Sequence, residues 1–187
     1  RVPQISDLGL DKVGVETSSK GLKVNEYMQS VSNGRIFAAG DCAEPGLPLT
    51  PVAALQGEVL AENIINGPHA KSNLTGTASV VFTHPPLVSV GLLEEQAREQ
   101  GLGCIVHAGD AAKWSEHKRI GLKHAAYKIL EEKGSGRILG AHYLGQHAEE
   151  VGSVFGLAIR HGLTRQDLMA QPWGYPSFSY ALRYMFS

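Results

Sequence analysis

The chain has 187 residues, 43% of them hydrophobic and 19% charged, which is enough for one or two domains with apolar cores. The net charge of −1 gives no electrostatic reason to expect binding to nucleic acid or to an anionic membrane. No apolar run approaches the roughly 20 residues of a membrane span, and no signal peptide opens the sequence, so we expect a cytoplasmic protein without a membrane partner.

Residues 1–70 begin with irregular chain. Within them, residues 21–25 (GLKVN) fit a short strand. Residues 35–39 (RIFAA) predict a buried strand, because the run is short, apolar and bounded by glycine at both ends. This predicted strand stops at Gly40 and Asp41, so a carboxylate follows its last residue directly.

A helix is predicted to start at Pro51. Thr50 before it is a good N-cap, and proline at the first helical position loses no hydrogen-bond donor that the helix needs. Apolar residues then recur at steps of three and four as far as Ile64, and Gly67 ends the helix. A strand followed by a helix is typical of an α/β layer.

A different pattern starts near residue 78. The elements predicted there are two short strands around a Pro-Pro break (78–92), a short helix (93–101), a strand (104–109), a β-hairpin (125–145), a helix (147–162), a helix capped by Thr164, and an amphipathic tail helix through Phe178, Ala181, Leu182 and Met185. We therefore predict an α+β fold overall. Residues 1–70 would be the end of an α/β domain, and residues 78–187 an α+β domain whose antiparallel sheet is flanked by helices.

The stretch from Gly40 to Pro51 has the composition of one side of a ligand site. A carboxylate at a strand end can accept hydrogen bonds from ligand hydroxyls, often those of a sugar, and Gly40 permits close backbone approach. A helix start favours negative charge. Together they would suit a flavin, which carries hydroxyls on its ribityl chain. The alternative is that Asp41 caps a turn and that Thr50 and Pro51 simply start a helix.

Cysteines and histidines give no pattern for a metal site. Cys42 and Cys104 form no CxxC pair, so they are interpreted as ordinary reduced residues. The eight histidines form no HxxxH or HExxH motif, and we interpret them as solvated or core residues.

Several long motifs resemble one enzyme family in the right order. They are "RIFAAGDCAEPGLPLTPVAALQGEVLAENI" (35–64), "VVFTHPPLVSVGLLEEQARE" (80–99), "RILGAHYLGQHAEEVGSVFGLAIRHGLTRQDL" (137–168) and a Tyr-Pro-containing tail. The first resembles the second FAD-binding segment of the pyridine nucleotide–disulfide oxidoreductases, which include glutathione reductase, dihydrolipoamide dehydrogenase, mercuric reductase and soluble transhydrogenase. The resemblance covers nearly the whole chain.

The resemblance implies a role for each part. Residues 1–70 would be the C-terminal part of the FAD-binding domain, and residues 78–187 the domain through which such enzymes form homodimers. It places the flavin ribityl chain against Gly40 and Asp41. It places the start of the next helix, formed by Pro48, Leu49, Thr50 and Pro51, against the flavin ring.

The family's other motifs are missing from this sequence. The Gly-rich FAD and NAD(P)H fingerprints and a redox-active CxxxxC are expected to precede Arg1, so the chain is expected to be a C-terminal fragment. As given, it should not bind NAD(P)H, exchange thiols with disulfides or hold FAD tightly. NAD(P)H would be the co-substrate of the parent protein.

The tail departs from the thiol reductases of the family. Tyr175 stands where they carry a histidine that acts as acid–base partner of the active thiol, and Tyr180 stands where a glutamate holds that histidine. A phenol is a poor proton shuttle at neutral pH, although it can donate a hydrogen bond. Tyr175 is therefore the candidate catalytic residue. The resemblance puts His84 near the redox centre. The alternative is that this histidine structures a Pro-rich strand break.

The resemblance implies the C-terminal part of an FAD-dependent NAD(P)H oxidoreductase, similar to dihydrolipoamide dehydrogenase or mercuric reductase and acting on a disulfide or small molecule. A Tyr-Pro tail is closer to mercuric reductase and soluble transhydrogenase, whereas the final Met185-Phe186-Ser187 lacks the vicinal cysteines usual in mercuric reductase. A transhydrogenase-like enzyme is thus one alternative. A non-catalytic dimerisation module is the other.

Overall fold

The protein was examined as a computed structural model that describes residues 2–186. The chain divides into two compact units, one extending to Leu74 and the other starting at Thr75. Among the described residues, no helix is both long and apolar enough to cross a membrane.

The first unit is built from short elements and one long helix. Two 3-10 helices, Ser6–Leu8 and Leu10–Val13, precede the strands β1 (Thr17–Ser18), β2 (Gly21–Lys23) and β3 (Ala43–Glu44) and the helix α1 (Thr50–Asn66). Strand β2 pairs antiparallel with β1 and parallel with β3. The strand predicted from residue 21 is thus present, although it is shorter than expected.

The strand predicted over residues 35–39 is wrong. The segment forms a single bridge, in which Ala38 N–H donates to the Met28 carbonyl at 3.0 Å and Ser30 N–H donates to the Ile36 carbonyl at 2.8 Å. Gly40 then takes a left-handed conformation (φ 70°) that starts a 3-10 turn over Gly40–Cys42. Within residues 2–186, this apolar run pairs with other backbone at a single bridge. No strand runs alongside it, so the run cannot continue as a strand itself.

Helix α1 begins one residue earlier than predicted. Leu49, with extended backbone, is the N-cap, and Thr50 is already helical, so the predicted capping by Thr50 is wrong. The buried stripe also differs from the predicted apolar face: it contains Val52 and Val59 but also the polar residues Gln56 and Asn63. The predicted face includes Ile64, which is 57% exposed.

The second unit contains a five-stranded antiparallel sheet, which confirms the predicted α+β class. Its strands are β4 (Ala78–Val81), β5 (Leu87–Gly91), β6 (Cys104–Asp110), β7 (Ala126–Glu132) and β8 (Ile138–Leu144), in the spatial order β4-β5-β8-β7-β6. The helices are α2 (Glu94–Glu99), α3 (Ser115–Arg119), α4 (Ala148–Arg160) and α5 (Arg165–Ala170), and the tail ends in a 3-10 helix, Tyr180–Phe186. Helix α3 was not predicted.

Helix α4 packs on the sheet through residues without side chains. A Cβ added at Gly152 would lie 2.3 Å from Val88 Cγ2, and one added at Gly156 would lie 2.4 Å from the Gly76 carbonyl oxygen. Phe155, on the same side of the helix, is buried in the core. The two glycines therefore allow the helix backbone to approach β5 and the start of the domain closely.

The structure confirms part of what the sequence predicts for the capping of α5 and for the tail. Thr164 and Asp167 form the predicted capping box, with the Asp167 N–H donating to Thr164 Oγ1 at 3.1 Å. The tail is a 3-10 helix instead of an α-helix. Its predicted apolar face is nevertheless buried, including Leu182 and Met185.

A buried polar pair joins helix α3 to the sheet. His117 has no exposed surface, and its Nδ1 lies 2.7 Å from the Ala111 carbonyl oxygen, which can only accept, so Nδ1 carries the proton. Its Nε2 lies 2.7 Å from the Tyr143 hydroxyl, which donates to it. Burial, and secondly the negative charge of Glu116, raises the pKa of Tyr143 and keeps this phenol protonated.

Replacing Gly152 by alanine should destabilise the second unit. The better helix propensity of alanine contributes about 1 kcal/mol, but the new methyl group would overlap Val88, whose branched side chain has little freedom. We expect a net loss of about 1–3 kcal/mol in the free energy of unfolding, measured by urea denaturation. In the matched control Gly57→Ala on α1, no atom lies within 4 Å of the new Cβ, so stability should rise. Equal effects of the two changes would contradict this packing.

Replacing Tyr143 by phenylalanine should leave His117 Nε2 buried without its donor. The cost should be about 1–3 kcal/mol of unfolding free energy. Tyr127→Phe is the control, because the Tyr127 hydroxyl makes only a long 3.4 Å bond to the Tyr184 carbonyl. A Tyr143→Phe protein as stable as the control would disprove the importance of this pair.

Candidate functional site

The turn at Gly40 is fixed to helix α1 by a buried side chain. The Gly40 N–H donates to Gln56 Oε1 at 2.8 Å, and Gln56 has no exposed surface. A Cβ added at Gly40 would lie 3.0 Å from Ala53 Cβ, and the positive φ angle also disfavours any other residue. The sequence therefore requires glycine here both for the turn and for close approach to the helix.

Asp41 follows this turn and is exposed. Within residues 2–186 its carboxylate has neither a hydrogen-bond nor an ion-pair partner, so its oxygens can accept hydrogen bonds from another molecule. Because no strand precedes it, Asp41 is placed by the Gly40 turn and not by a strand end.

A cavity of about 780 Å³ in the first unit contains half of the predicted flavin contacts. It is lined by Gly40, Asp41 and Pro48, together with residues near the N-terminus, in the β1–β2 loop, in strand β3 and in the β3–α1 loop: Val2, Pro3, Gln4, Ser19, Lys20, Ala43, Glu44, Pro45, Gly46 and Leu47. The other predicted contacts, Leu49, Thr50 and Pro51, are not among its lining residues. They form the adjoining start of α1.

The start of α1 carries no side-chain cap. Ala53 N–H makes the first helical hydrogen bond, to the Leu49 carbonyl at 2.9 Å, and Leu49 has no side chain able to cap. Helix geometry therefore leaves the Thr50 and Val52 amides without intrahelical acceptors, and Pro51 has no N–H. The positive end of the helix dipole is thus available to a negative group.

Gln56 has one donor that no residue satisfies. Its Nε2 is buried and lacks a hydrogen-bond partner in the described part of the chain. A Cβ added at Gly46, which lines the cavity, would lie 3.7 Å from this nitrogen. One signal in the sequence points to Gln56: it is a polar residue on the same helix face as the apolar positions Val52 and Val59. Periodicity assigns this buried face to apolar residues only.

The two tail tyrosines lie against each other. Tyr175 is 71% exposed, and its ring centroid is 4.9 Å from that of Tyr180 in an edge-to-face arrangement. Tyr180 in turn contacts Tyr184, with ring centroids 6.1 Å apart. The structure therefore brings together the two residues that stand at the histidine and glutamate positions in the resemblance.

His84 is exposed and lines a second cavity, of about 650 Å³, within the second unit. His124, His147 and Phe178 line the same cavity, whereas Tyr175 does not. The resemblance singles out His84 for proximity to the redox centre, but spacing does not group His84, His124 and His147, because they are far apart in the chain.

No cluster of three or more His, Cys, Asp or Glu side chains suited to a metal ion occurs in residues 2–186. His142, one of the histidines considered for metal binding, contacts the Ser89 hydroxyl at 2.8 Å and the Leu92 carbonyl oxygen at 3.2 Å. Burial lowers the pKa of His142, and the bond to Leu92 partly opposes this. This histidine therefore has a structural role.

Comparison with known proteins identifies both parts of the chain. Residues 77–186 match the family "Pyridine nucleotide-disulphide oxidoreductase, dimerisation domain", and residues 1–57 match "Pyridine nucleotide-disulphide oxidoreductase". The chain is 37% identical over 179 residues to an uncharacterized 19.7 kDa protein in the mercuric resistance operon of Staphylococcus aureus, across 95% of this chain and 99% of that protein.

Longer relatives are enzymes. The chain is 31% identical to dihydrolipoyl dehydrogenase of Bacillus subtilis over 95% of its length, and 35% identical to mercuric reductase of Staphylococcus aureus over 90% of its length. It spans only 37% and 30% of the lengths of these two relatives.

Solved structures agree with these matches. LpdA from Mycobacterium tuberculosis superimposes with a TM-score of 0.83 at 26% identity, covering 98% of this chain and 40% of LpdA. The HOCl-induced flavoprotein disulfide reductase RclA from Escherichia coli gives 0.85 at 24% identity, covering 100% of this chain and 43% of RclA, a likeness that shows the fold. By its family matches over both units, the chain belongs to the pyridine nucleotide-disulphide oxidoreductase family.

Proposed function

We propose that the chain is the C-terminal part of an FAD-dependent NAD(P)H oxidoreductase similar to dihydrolipoamide dehydrogenase or mercuric reductase. Residues 1–70 would supply one side of the flavin site, and residues 78–187 the homodimer interface. The observation that carries the proposal is Asp41, whose carboxylate has no partner within residues 2–186 and lies close to the uncapped start of α1. The Gly40–Gln56 hydrogen bond holds the turn before Asp41 against this helix.

The residues around the first cavity fit a flavin. Asp41 would accept hydrogen bonds from ribityl hydroxyls, and the absence of a side chain at Gly40 leaves the backbone accessible. The buried, unsatisfied Gln56 Nε2 is a donor near the same cavity. FAD, when bound, would pass electrons from NAD(P)H to the acceptor.

The start of α1 would stabilise negative charge on the flavin ring. Pro48 and Leu49 would contact the ring, and the amides at Thr50 and Val52 point out of the helix end. The residues after Pro51 continue into a 17-residue helix, whose dipole favours an anion at this end.

Tyr175 would serve as a hydrogen-bond donor to the acceptor substrate. Its exposure allows contact with another molecule, and the ring of Tyr180 restricts its orientation from one side. His84 would lie near the redox centre, as the resemblance implies. A transhydrogenase-like reaction would use the same flavin contacts and differ only in the acceptor.

A second candidate function is a dimerisation module without catalysis. The observation that favours it is the match to the Staphylococcus aureus 19.7 kDa protein over 99% of that protein's length. The two candidates differ in FAD binding, which only the first requires.

Asp41→Ala should weaken FAD binding about tenfold, because a hydrogen bond to a charged group is lost. The measurement is a titration of FAD fluorescence with protein. Asp11→Ala, which removes an exposed carboxylate of the same unit outside the cavity, should leave the affinity unchanged. Equal affinity in the two variants would contradict the role of Asp41.

The dimerisation domain should form homodimers in solution. Sedimentation velocity at micromolar concentration should give twice the chain mass of 20.0 kDa, with or without FAD. A 20.0 kDa species across the accessible concentration range would refute the assignment of residues 78–187 to a homodimer interface.

A further inference from the structure

The second cavity is lined only by residues of the second unit. Its lining comes from the strand break at His84 and Pro85, the loop of residues 119–124, the turn at Gln146 and His147, and Phe178. Its volume of about 650 Å³ lies within the range of small-molecule sites. Of its lining residues, only His84 has a role in the proposed flavin enzyme.

The ionisable side chains that line this cavity are all basic. Five of its lining residues are cationic or become so on protonation: His84, Arg119, Lys123, His124 and His147. None of its lining residues is acidic. This is unexpected in a chain whose net charge is −1, so the cavity is a local concentration of positive charge.

The positive charges are largely uncompensated. Neither Arg119 nor Lys123 has an ion-pair partner within residues 2–186. The acid on the same short helix, Glu116, is buried and accepts a hydrogen bond from Ser115 at 3.0 Å. One of the lining histidines has an acid close to it: Glu149 Oε1 lies 3.7 Å from His147 Nδ1.

The arrangement suits an anion better than a metal ion. The described residues contain no group of three or more His, Cys, Asp or Glu side chains that could hold a metal ion. Arginine and protonated imidazole donate charge-assisted hydrogen bonds to oxyanions, and a guanidinium can do so in bidentate fashion. Pro85, Leu122 and Phe178 add apolar surface beside these donors.

We propose that this cavity binds a tetrahedral oxyanion, such as the phosphate group of a small phosphorylated molecule. Arg119 and Lys123 supply permanent charge. His84, His124 and His147 add imidazole groups that can donate hydrogen bonds. Every lining residue lies in the second unit, so anion binding in this cavity does not depend on FAD binding to the first unit.

Sodium sulfate is the test probe, because sulfate keeps its charge between pH 5.5 and 8 and any pH effect therefore comes from the protein. Isothermal titration at constant ionic strength should show binding that is about tenfold tighter at pH 5.5, since imidazoles as a class gain charge below about pH 6.5. Phenyl phosphate should bind more tightly than inorganic phosphate, because its ring would contact the apolar wall.

Arg119→Gln should weaken sulfate binding about tenfold at both pH values. Lys118→Gln is the matched control, because Lys118 is exposed on the same helix but does not line the cavity, and it should bind as the unaltered chain does. A triple variant with glutamine at His84, His124 and His147 should keep binding at pH 8 and lose the gain at pH 5.5. Equal losses from Arg119→Gln and Lys118→Gln, or an unchanged pH effect in the triple variant, would overturn the proposal.

Discussion

The hydrogen bond from the Gly40 N–H to Gln56 Oε1 determines the geometry of the first unit's candidate site. The buried Gln56 amide needs hydrogen-bond partners, and this bond satisfies its oxygen. The bond also holds the left-handed turn at Gly40 against the second turn of α1. The same bond fixes where Asp41 lies relative to the start of the helix. In the proposed function, this carboxylate-bearing turn and the helix end would together form one side of a flavin site.

In the second unit, the corresponding constraint is steric. Gly152 and Gly156 remove side chains where α4 meets the sheet and the start of the domain, and the buried His117–Tyr143 pair ties helix α3 to strand β8. Phe178 of the tail contacts the rings of His117 and His147, so the buried pair also supports one wall of the histidine-lined cavity. The surface chemistry of this unit therefore depends on close packing in its interior.

Prediction from sequence succeeded where local signals were strong. The hairpin at residues 125–145, the two strands around the Pro-Pro break and the Thr164 capping box all follow from turn residues, alternation and capping chemistry. The α+β class and the family followed from these elements and from the long motifs.

Prediction from sequence failed where contacts with distant parts of the chain decide the local structure. The apolar run at residues 35–39 reads as a strand, but it forms a single bridge because no strand lies beside it. Gln56 and His117 are buried polar residues, and periodicity assigns buried positions to apolar side chains. Grouping of His84, His124 and His147 around one cavity depends on long-range contacts that no sequence spacing encodes.

The central claim is that the segment from Gly40 to the start of α1 contacts a flavin. Hydrogen–deuterium exchange of the chain with and without saturating FAD tests it most directly, because it reports on individual backbone segments. The account predicts slower exchange over residues 40–52 in the presence of FAD, with residues 78–186 largely unaffected. Bound FAD with unchanged exchange over residues 40–52 would contradict it.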